Sequence, residues 1–245
     1  MASEIVPGVR RLGTKIVNWY FVEDGGRVTI VDAALPNYWD QLEPALASIG
    51  RKLDDVDALV LTHAHSDHTG VAGRLHDRGV PVYLHQADHE LLRTAKEPWE
   101  RERGMFPQAL RPSIWPFLAH MMRNGGTKPP KIDDPVAIGD GDVLDVPGRP
   151  RVVHTPGHTP GHCTLHFEQQ GTLFTGDLLV TWNPLKNRRG PQIMPGAFNV
   201  SSDECLSSLG KIEALGAANV LSGHGEPWTE GVESAVAQAR QAGKS

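Results

Sequence analysis

Three histidines and an aspartate lie within one short segment of the chain, directly after an apolar stretch. The segment reads His63-Ala-His65-Ser-Asp67-His68, and it follows residues 56–61, which have the composition of a buried strand. Where a strand ends in a loop, alternate side chains can point at a common centre. Imidazole and carboxylate groups are the ligands that zinc and related metals bind in proteins. The segment predicts a metal site, and the alternative is a solvated polar loop.

Three later segments supply the ligands that would complete two metal sites. His158 stands between two Pro-Gly pairs that fix its backbone in turns, Asp177 ends a short β-rich stretch, and His224 follows another. Asp177 is placed to bridge two ions. The predicted ligands therefore form two sets around Asp177, which are His63, His65 and His158 for the first ion and Asp67, His68 and His224 for the second.

The order of these four segments resembles the metallo-β-lactamase superfamily over nearly the whole chain. The motifs that carry the resemblance are His-x-His-x-Asp-His at 63–68, Thr-Pro-Gly-His at 155–158, Thr-Gly-Asp at 175–177 and Gly-His at 223–224. The resemblance implies an α/β fold, a four-layer αββα sandwich. In such a fold two mixed sheets face each other, helices cover their outer faces, and the metals lie at one edge between the sheets.

Other polar residues near these motifs receive supporting roles or none. Asp32, at the end of a predicted strand, matches a family position behind the metals, which implies that it orients the loop or a ligand histidine. An aspartate that only caps a turn is the alternative. His162 follows His158 and is interpreted as a supporting residue, because in the resembling family the earlier histidine is the ligand. No metal role is predicted for the remaining histidines, which are His76, His85, His89, His120, His154 and His166.

Length, charge and cysteine content restrict the kind of protein. The chain of 245 residues can form a single α/β unit, so we expect one domain over residues 1–245. A net charge of −5 disfavours nucleic-acid binding, which normally needs a basic face. Neither a transmembrane segment nor a signal peptide is recognisable, so we expect a cytoplasmic protein that does not bind membranes. Cys163 and Cys205 fit this as buried, unpaired thiols.

Periodicity predicts several elements directly. Two strands, at 17–22 and 27–32, flank a Gly-Gly turn and form a hairpin. A helix is predicted over 38–49, and a capping box at Ser201 opens another. The last helix is predicted to begin at about Thr229.

Residues 96–133 differ in composition and periodicity from the rest of the chain. Large apolar side chains, including Trp99, Met105 and Met122, occur among prolines, glycines and arginines without clear periodicity. We predict a partly helical lid over the metal cleft. The alternative is that these side chains pack on the flank of the domain or against the partner in a homodimer. The substrate contacts predicted from this segment are Trp115, Phe117 and Met121.

A second cluster of aromatic and basic residues follows Asp177. Its place in the chain predicts another wall of the same cleft, and its arginines could bind a substrate carboxylate or phosphate. A solvated surface run is the alternative. The members of this cluster are Trp182, Lys186, Arg188, Arg189, Met194 and Phe198.

Two bound cations would give the chain hydrolytic chemistry. Cations ~3.5 to 4 Å apart lower the pKa of a bridging water toward 7 and polarise the carbonyl that the hydroxide attacks. Asp67 is the candidate to orient this metal-bridging hydroxide and to shuttle its proton. No Gly-x-Ser-x-Gly nucleophile motif is present. We expect two divalent ions, with Zn²⁺ first and Fe or Mn as alternatives, and a small-molecule substrate.

Comparison with subfamilies narrows the substrate. The motifs are most similar to those of glyoxalase II and of lactonases. However, only about one predicted helix follows His224 where glyoxalase II has a helical domain, and Val180 stands where the lactonases have a catalytic tyrosine. We therefore predict hydrolysis of an ester, thioester or lactone. The alternatives are a mononuclear iron enzyme similar to persulfide dioxygenases, a β-lactam hydrolase, and a family member that binds a ligand without catalysis.

Overall fold

Strands that are buried on both faces form the centre of the molecule. The computed structural model describes residues 2–104 and 106–244. Along one central strand, Trp19 and Phe21 point into one apolar cluster, whereas Tyr20 and Val22 point into another. Successive side chains of a strand point to opposite faces of its sheet, so this sheet is covered on both sides.

The first sheet has seven strands that lie side by side in chain order. The first four strands pair antiparallel, and from the fourth to the seventh the pairing is parallel. The Gly25-Gly26 turn joins the third and fourth strands and confirms the predicted hairpin. The strands are β1 (Ser3–Val6), β2 (Val9–Gly13), β3 (Asn18–Asp24), β4 (Arg27–Val31), β5 (Val56–Val60), β6 (Val82–His85) and β7 (Val136–Ile138).

The second sheet has four strands and lies against the first. Its strands are β8 (Arg151–His154), β9 (Cys163–Phe167), β10 (Thr172–Gly176) and β13 (Asn219–Ser222). Their order is β13-β10-β9-β8, with β10 and β13 parallel and the other pairs antiparallel. A separate hairpin, β11 (Val180–Asn183) and β12 (Arg188–Gln192), stands beside this sheet.

Helices cover the outer face of each sheet. The helices are α1 (Trp39–Ala47), α2 (Ala72–His76), α3 (His89–Thr94), α4 (Phe106–Ala109), α5 (Trp115–Arg123), α6 (Ser202–Glu213) and α7 (Val232–Ala242). Apolar side chains of α1, α2 and α3 share a cluster with the first sheet, and those of α6 and α7 share one with the second. Tyr20, Phe167 and Phe174 belong to a third cluster between the two sheets. The predicted αββα sandwich is therefore confirmed.

Most predicted element boundaries agree with the structure. The helix predicted over 38–49 is α1, and the Ser201 side chain caps α6 by accepting a hydrogen bond from the Glu204 amide at 3.2 Å. The last helix starts at Val232, later than the predicted Thr229, because the backbone of Trp228 pairs with that of Val220 and keeps the chain extended. Both cysteines are buried and free, as predicted.

The segment predicted as a lid is partly helical. It contains α4, a 3-10 turn at Pro112–Ile114 and α5, and Met105 lies outside the described residues. The side chains of Trp115 and Met122 are 58% and 71% exposed, whereas Phe117 is buried. One face of α5 is therefore turned inward.

None of the helices within residues 2–104 and 106–244 combines the length and the hydropathy needed to cross a lipid bilayer.

Candidate metal centre

Loops that follow four strands meet at one edge of the sandwich. The loop after β5 carries the histidine-rich motif, and the loops after β8, β10 and β13 carry His158, Asp177 and His224. These side chains are buried or nearly buried. The structure brings together all seven predicted ligands, which are His63, His65, Asp67, His68, His158, Asp177 and His224.

The ligand atoms form two adjacent groups of three. One nitrogen from each of His63, His65 and His158 lies within 4.8 Å of the other two, and Nδ1 of His65 is 2.8 Å from Nε2 of His158. The second group contains one atom each from Asp67, His68 and His224, again within 4.8 Å of one another. These groups correspond to the two predicted ligand sets.

The carboxylate of Asp177 lies between the two groups. Its Oδ2 is 3.4 Å from Nε2 of His158, which belongs to the first group, and 3.2 Å from Nε2 of His224, which belongs to the second. Its Oδ1 is 3.4 Å from Nε2 of His68. Gly223 permits this approach, since a Cβ there would lie 2.5 Å from Asp177 Oδ1.

Several buried polar atoms of the cluster have no hydrogen-bond partner among the described residues. They include Nε2 of His63, His68 and His224 and Oδ1 of Asp177. Unsatisfied buried groups cost free energy, and imidazole and carboxylate donors at such spacing fit divalent cations. The cluster is therefore able to bind metal ions.

The outward nitrogens of the histidines are held by other polar groups. Nδ1 of His68 contacts Oδ2 of Asp32 at 2.8 Å, and Nδ1 of His158 contacts Oδ1 of Asn199 at 2.9 Å. Nδ1 of His224 donates to the Ile16 carbonyl. Such contacts fix the ring orientation and keep the opposite nitrogen directed inward. Sequence reasoning named Asp32 but missed Asn199 and Ile16.

Two further buried residues set the positions of the loops. Nε2 of His162 accepts a hydrogen bond from the Asp177 amide at 3.1 Å, and burial lowers the pKa of His162 to about 3, so its ring is neutral. Asp88 accepts hydrogen bonds from the Ala64 and Gly161 amides at 3.2 and 2.7 Å. Asp88 thereby connects the loop of His63 and His65 with the loop of His158, a role that no sequence pattern indicated.

The two ligand groups differ in their electrostatics. Burial lowers the pKa of His63 and His158 well below the ordinary value, so both rings are neutral and have a free lone pair. Burial opposes the charged form of His68 as well, but the carboxylates of Asp32 and Asp177 outweigh it and raise the pKa of His68 well above the ordinary value. The carboxylates thus favour positive charge at the second group, which a bound cation would supply in place of protons.

A cavity of about 670 Å³ opens onto the cluster. It is lined by Phe117 and Met121 from the predicted lid, by Met194 and Phe198 from the later segment, and by five of the seven predicted ligands. The ring centroid of Phe117 is 5.8 Å from that of His224. The cavity also contains Glu97 and Arg101, which sequence reasoning missed because charged pairs at helical spacing are common on solvated surfaces.

Four predicted substrate contacts are not among the residues that line this cavity. Trp115 points outward on α5, and its indole donates to the Ala109 carbonyl. Trp182 and Arg189 pair across the β11–β12 hairpin and line a different cavity, although the ring centroid of Trp182 is 6.4 Å from that of Phe117. Arg188 is exposed and lines neither cavity. Within the cluster that follows Asp177, Met194 and Phe198 line the cavity and the tryptophan and basic residues do not, so proximity to Asp177 in the chain predicted the wall only in part.

Replacing Asp32 by asparagine is expected to weaken one metal site about 10- to 100-fold, because the variant loses the carboxylate that orients His68. Metal competition with a chromophoric chelator would measure this change. Asp57→Asn, at an exposed ion pair with Arg27, is the matched control and should leave both affinities unaltered. Equal affinities in Asp32→Asn and the control would show that Asp32 only supports the turn.

Comparison with known proteins identifies the family. The family model of the metallo-beta-lactamase superfamily matches residues 12–224. The chain belongs to this superfamily. A probable metallo-hydrolase of Bacillus subtilis, YybB, is 29% identical over 216 residues, which cover 86% of this chain and 81% of that protein. The resemblance predicted from the sequence motifs is confirmed.

Two further proteins that resemble this chain have names that state a reaction or a bound metal. The atrochrysone carboxyl ACP thioesterase nsrC of Aspergillus novofumigatus is 30% identical over 163 residues, covering 65% of this chain and 37% of that protein. The crystal structure of TTHA1623 in a di-iron-bound form is 26% identical, with a TM-score of 0.64, and covers 91% of this chain and 95% of that one.

Proposed function

We propose that the protein is a dinuclear metal-dependent hydrolase of esters, thioesters or lactones whose acyl part is apolar. The observation that carries the proposal is the position of Asp177, between two groups of three ligands at the end of a largely apolar cavity. The two relatives support it, since one is named a probable metallo-hydrolase and the other a thioesterase. Zn²⁺ is the proposed metal, and the di-iron neighbour makes iron the main alternative.

Seven residues would hold the two ions. His63, His65 and His158 would bind one, Asp67, His68 and His224 the other, and Asp177 both. A pair of divalent cations held by these residues would supply an activated water near neutral pH and would polarise the substrate carbonyl.

Asp67 is proposed as the group that handles the proton. It is 7% exposed and lines the cavity, and its Oδ2 lies 3.5 Å from Nε2 of His224. From this position its carboxylate can accept a hydrogen bond from a water in the cavity and pass the proton to the leaving group. His162 holds the backbone of Asp177 by accepting a hydrogen bond from its amide, and the absence of a side chain at Gly223 leaves room for the Asp177 carboxylate.

The cavity wall favours an apolar, uncharged acyl group. Phe117, Leu118 and Met121 from α5 face Leu91 and Leu92 from α3. Arg101 is the single arginine or lysine among the lining residues that the structure describes, and Glu97 already neutralises it. A substrate carboxylate or phosphate would therefore find no unpaired cation on this wall.

A substrate panel on protein of measured metal content tests the proposal. Short and long p-nitrophenyl esters, acyl thioesters, lactones and a β-lactam would be compared at matched metal loading. The expected result is about two metal ions per chain with turnover of esters, thioesters or lactones. One iron per chain with oxygen uptake in the presence of a persulfide would instead identify an oxygenase and overturn the proposal.

The cavity contacts from the predicted lid lead to a prediction that distinguishes long from short substrates. Replacing Phe117 and Met121 together by serine should lower kcat/KM about tenfold for a long-chain ester and leave p-nitrophenyl acetate nearly unaffected. The reason is that loss of roughly 50 Å² of apolar contact, at ~25 cal/mol per Å², is worth ~1.3 kcal/mol. Trp115→Ser is the control, since Trp115 belongs to the same helix and points away from the cavity. An equal loss of kcat/KM for both esters would contradict the proposal that Phe117 and Met121 contact the acyl group.

A further inference from the structure

Residues 97–102 lie at the start of the predicted lid. They contact His65 and the loop that orients His158, and both histidines are proposed ligands of the first metal. Glu97 lies beside His65, and Glu102 binds the loop that orients His158. The amide of Glu102 donates to the Asn199 carbonyl at 2.8 Å, and its Oε2 accepts from the Ser202 amide at 2.6 Å. One short stretch thus reaches the surroundings of both His65 and His158.

The ring of His65 is placed so that its two nitrogens face different partners. Nδ1 lies 2.8 Å from Nε2 of His158 and so faces the first metal group, whereas Nε2 lies 3.4 Å from Oε1 of Glu97. A neutral imidazole that offers Nδ1 to a metal carries its proton on Nε2. Nε2 of His65 is buried and makes no hydrogen bond among the described residues, and the Glu97 carboxylate at 3.4 Å is an acceptor that its proton can reach.

Arg101 fixes the position of Glu97. Its Nε donates to Oε2 of Glu97 at 2.7 Å, and its Nη2 donates to Oε1. Its Nη1 donates to the Ala197 carbonyl at 3.2 Å. A two-pronged guanidinium–carboxylate pair is geometrically specific, and the third hydrogen bond attaches it to the loop that contains Asn199.

The second metal group has supports from elsewhere in the chain. Asp32, after β4, contacts His68, and the Ile16 carbonyl, before β3, accepts from His224. Neither contact involves residues 97–102. Residues 97–102 therefore contact the surroundings of the first group, whereas Asp32 contacts His68 directly and reaches His63 through the Thr62 hydroxyl.

We propose that Glu97 is a positioning residue for His65 and that residues 97–102 couple the order of the lid to occupation of the first metal site. This inference rests on the dinuclear site of the proposed function. By linkage, if residues 97–102 stabilise the bound metal, the bound metal must stabilise the ordered form of residues 97–102 by the same free energy.

Glu97→Gln tests the positioning role, because glutamine keeps the size of the side chain and removes its charge. Zn²⁺ affinities would be measured by competition with a chromophoric chelator, and His63→Ala would report the second site alone. The expected result is about 10- to 100-fold weaker binding at the first site and unchanged binding at the second. Glu90→Gln, at the exposed ion pair of Glu90 with Arg93, is the matched control. Glu97→Asp should recover part of the loss.

Hydrogen exchange of the wild-type protein tests the coupling with Glu97 intact, and His63→Ala serves as the comparison. Adding Zn²⁺ should slow exchange of the amides in residues 97–102 at least about tenfold, and His63→Ala should abolish this protection. Unchanged first-site affinity in Glu97→Gln, equal weakening of both sites, or exchange that is insensitive to Zn²⁺ would overturn the inference. Wild-type protein that binds fewer than two ions would instead overturn the proposed function.

Discussion

Replacing His63 or His158 by alanine is expected to leave one metal ion per chain and to lower kcat/KM about a thousandfold, which corresponds to ~4 kcal/mol of transition-state stabilisation. Each substitution removes one of the three imidazoles of the first group and leaves two imidazoles with the Asp177 carboxylate, which the second ion would share, so metal binding at the first site weakens. Metal analysis of the purified variants and steady-state kinetics on the best ester would measure both effects.

A buried histidine outside the cluster serves as the control for this experiment. His166 lies in β9 and is 8% exposed, and it is not part of either ligand group. His166→Ala should retain two ions and most of the activity. If His63→Ala also kept two ions at wild-type affinity, His63 would not be a ligand and the first group would have to be reassigned.

Asp177→Asn is expected to weaken both metal sites together, by about a hundredfold or more, and to abolish turnover. The carboxylate contacts imidazoles of both groups. Burial opposes its charged form, but the positive charge of His224 and His68 outweighs burial and lowers the pKa of Asp177 well below the ordinary value. Asparagine keeps the shape but removes the charge that two adjacent cations require. Calorimetric titration with Zn²⁺ would give the two affinities.

Asp142→Asn is a suitable control for Asp177→Asn. Asp142 accepts a hydrogen bond from the Gly139 amide in an exposed turn, away from the cluster. Loss of one ion from Asp177→Asn, with the other held at its original affinity, would show that Asp177 is a ligand of a single metal.

The ligands and most strands and helices could be predicted because each has a local signal, whereas the layers of the fold were predicted from the family resemblance. His63, His65, Asp67 and His68 lie in one motif, and the apolar stretches of the strands alternate with turn residues. The structure agrees with these layers, since the side chains of Trp19 and Tyr20 point into two different cores on opposite faces of one sheet.

The cavity wall could be predicted only in part, because it depends on contacts between distant segments. Phe117 and Trp115 belong to one helix and have the same kind of side chain, yet one is buried against the cluster and the other is exposed. The direction of α5 decides between them, and no local pattern gives that direction. Asn199 and Asp88 were missed for the same reason, since each acts on a histidine loop far away in the sequence.

The division of the ligands between the two sheets has a consequence for biosynthesis. The seven-stranded sheet, whose strands are adjacent in chain order, contains the loop with His63 and His68, and it can pair while the chain is still being made. His224 emerges from the ribosome about 150 residues after His68, which takes roughly 8 to 30 s at ~5–20 residues per second. During that interval the nascent chain offers an incomplete set of ligands. Full metal loading must therefore wait until the second sheet has docked on the first.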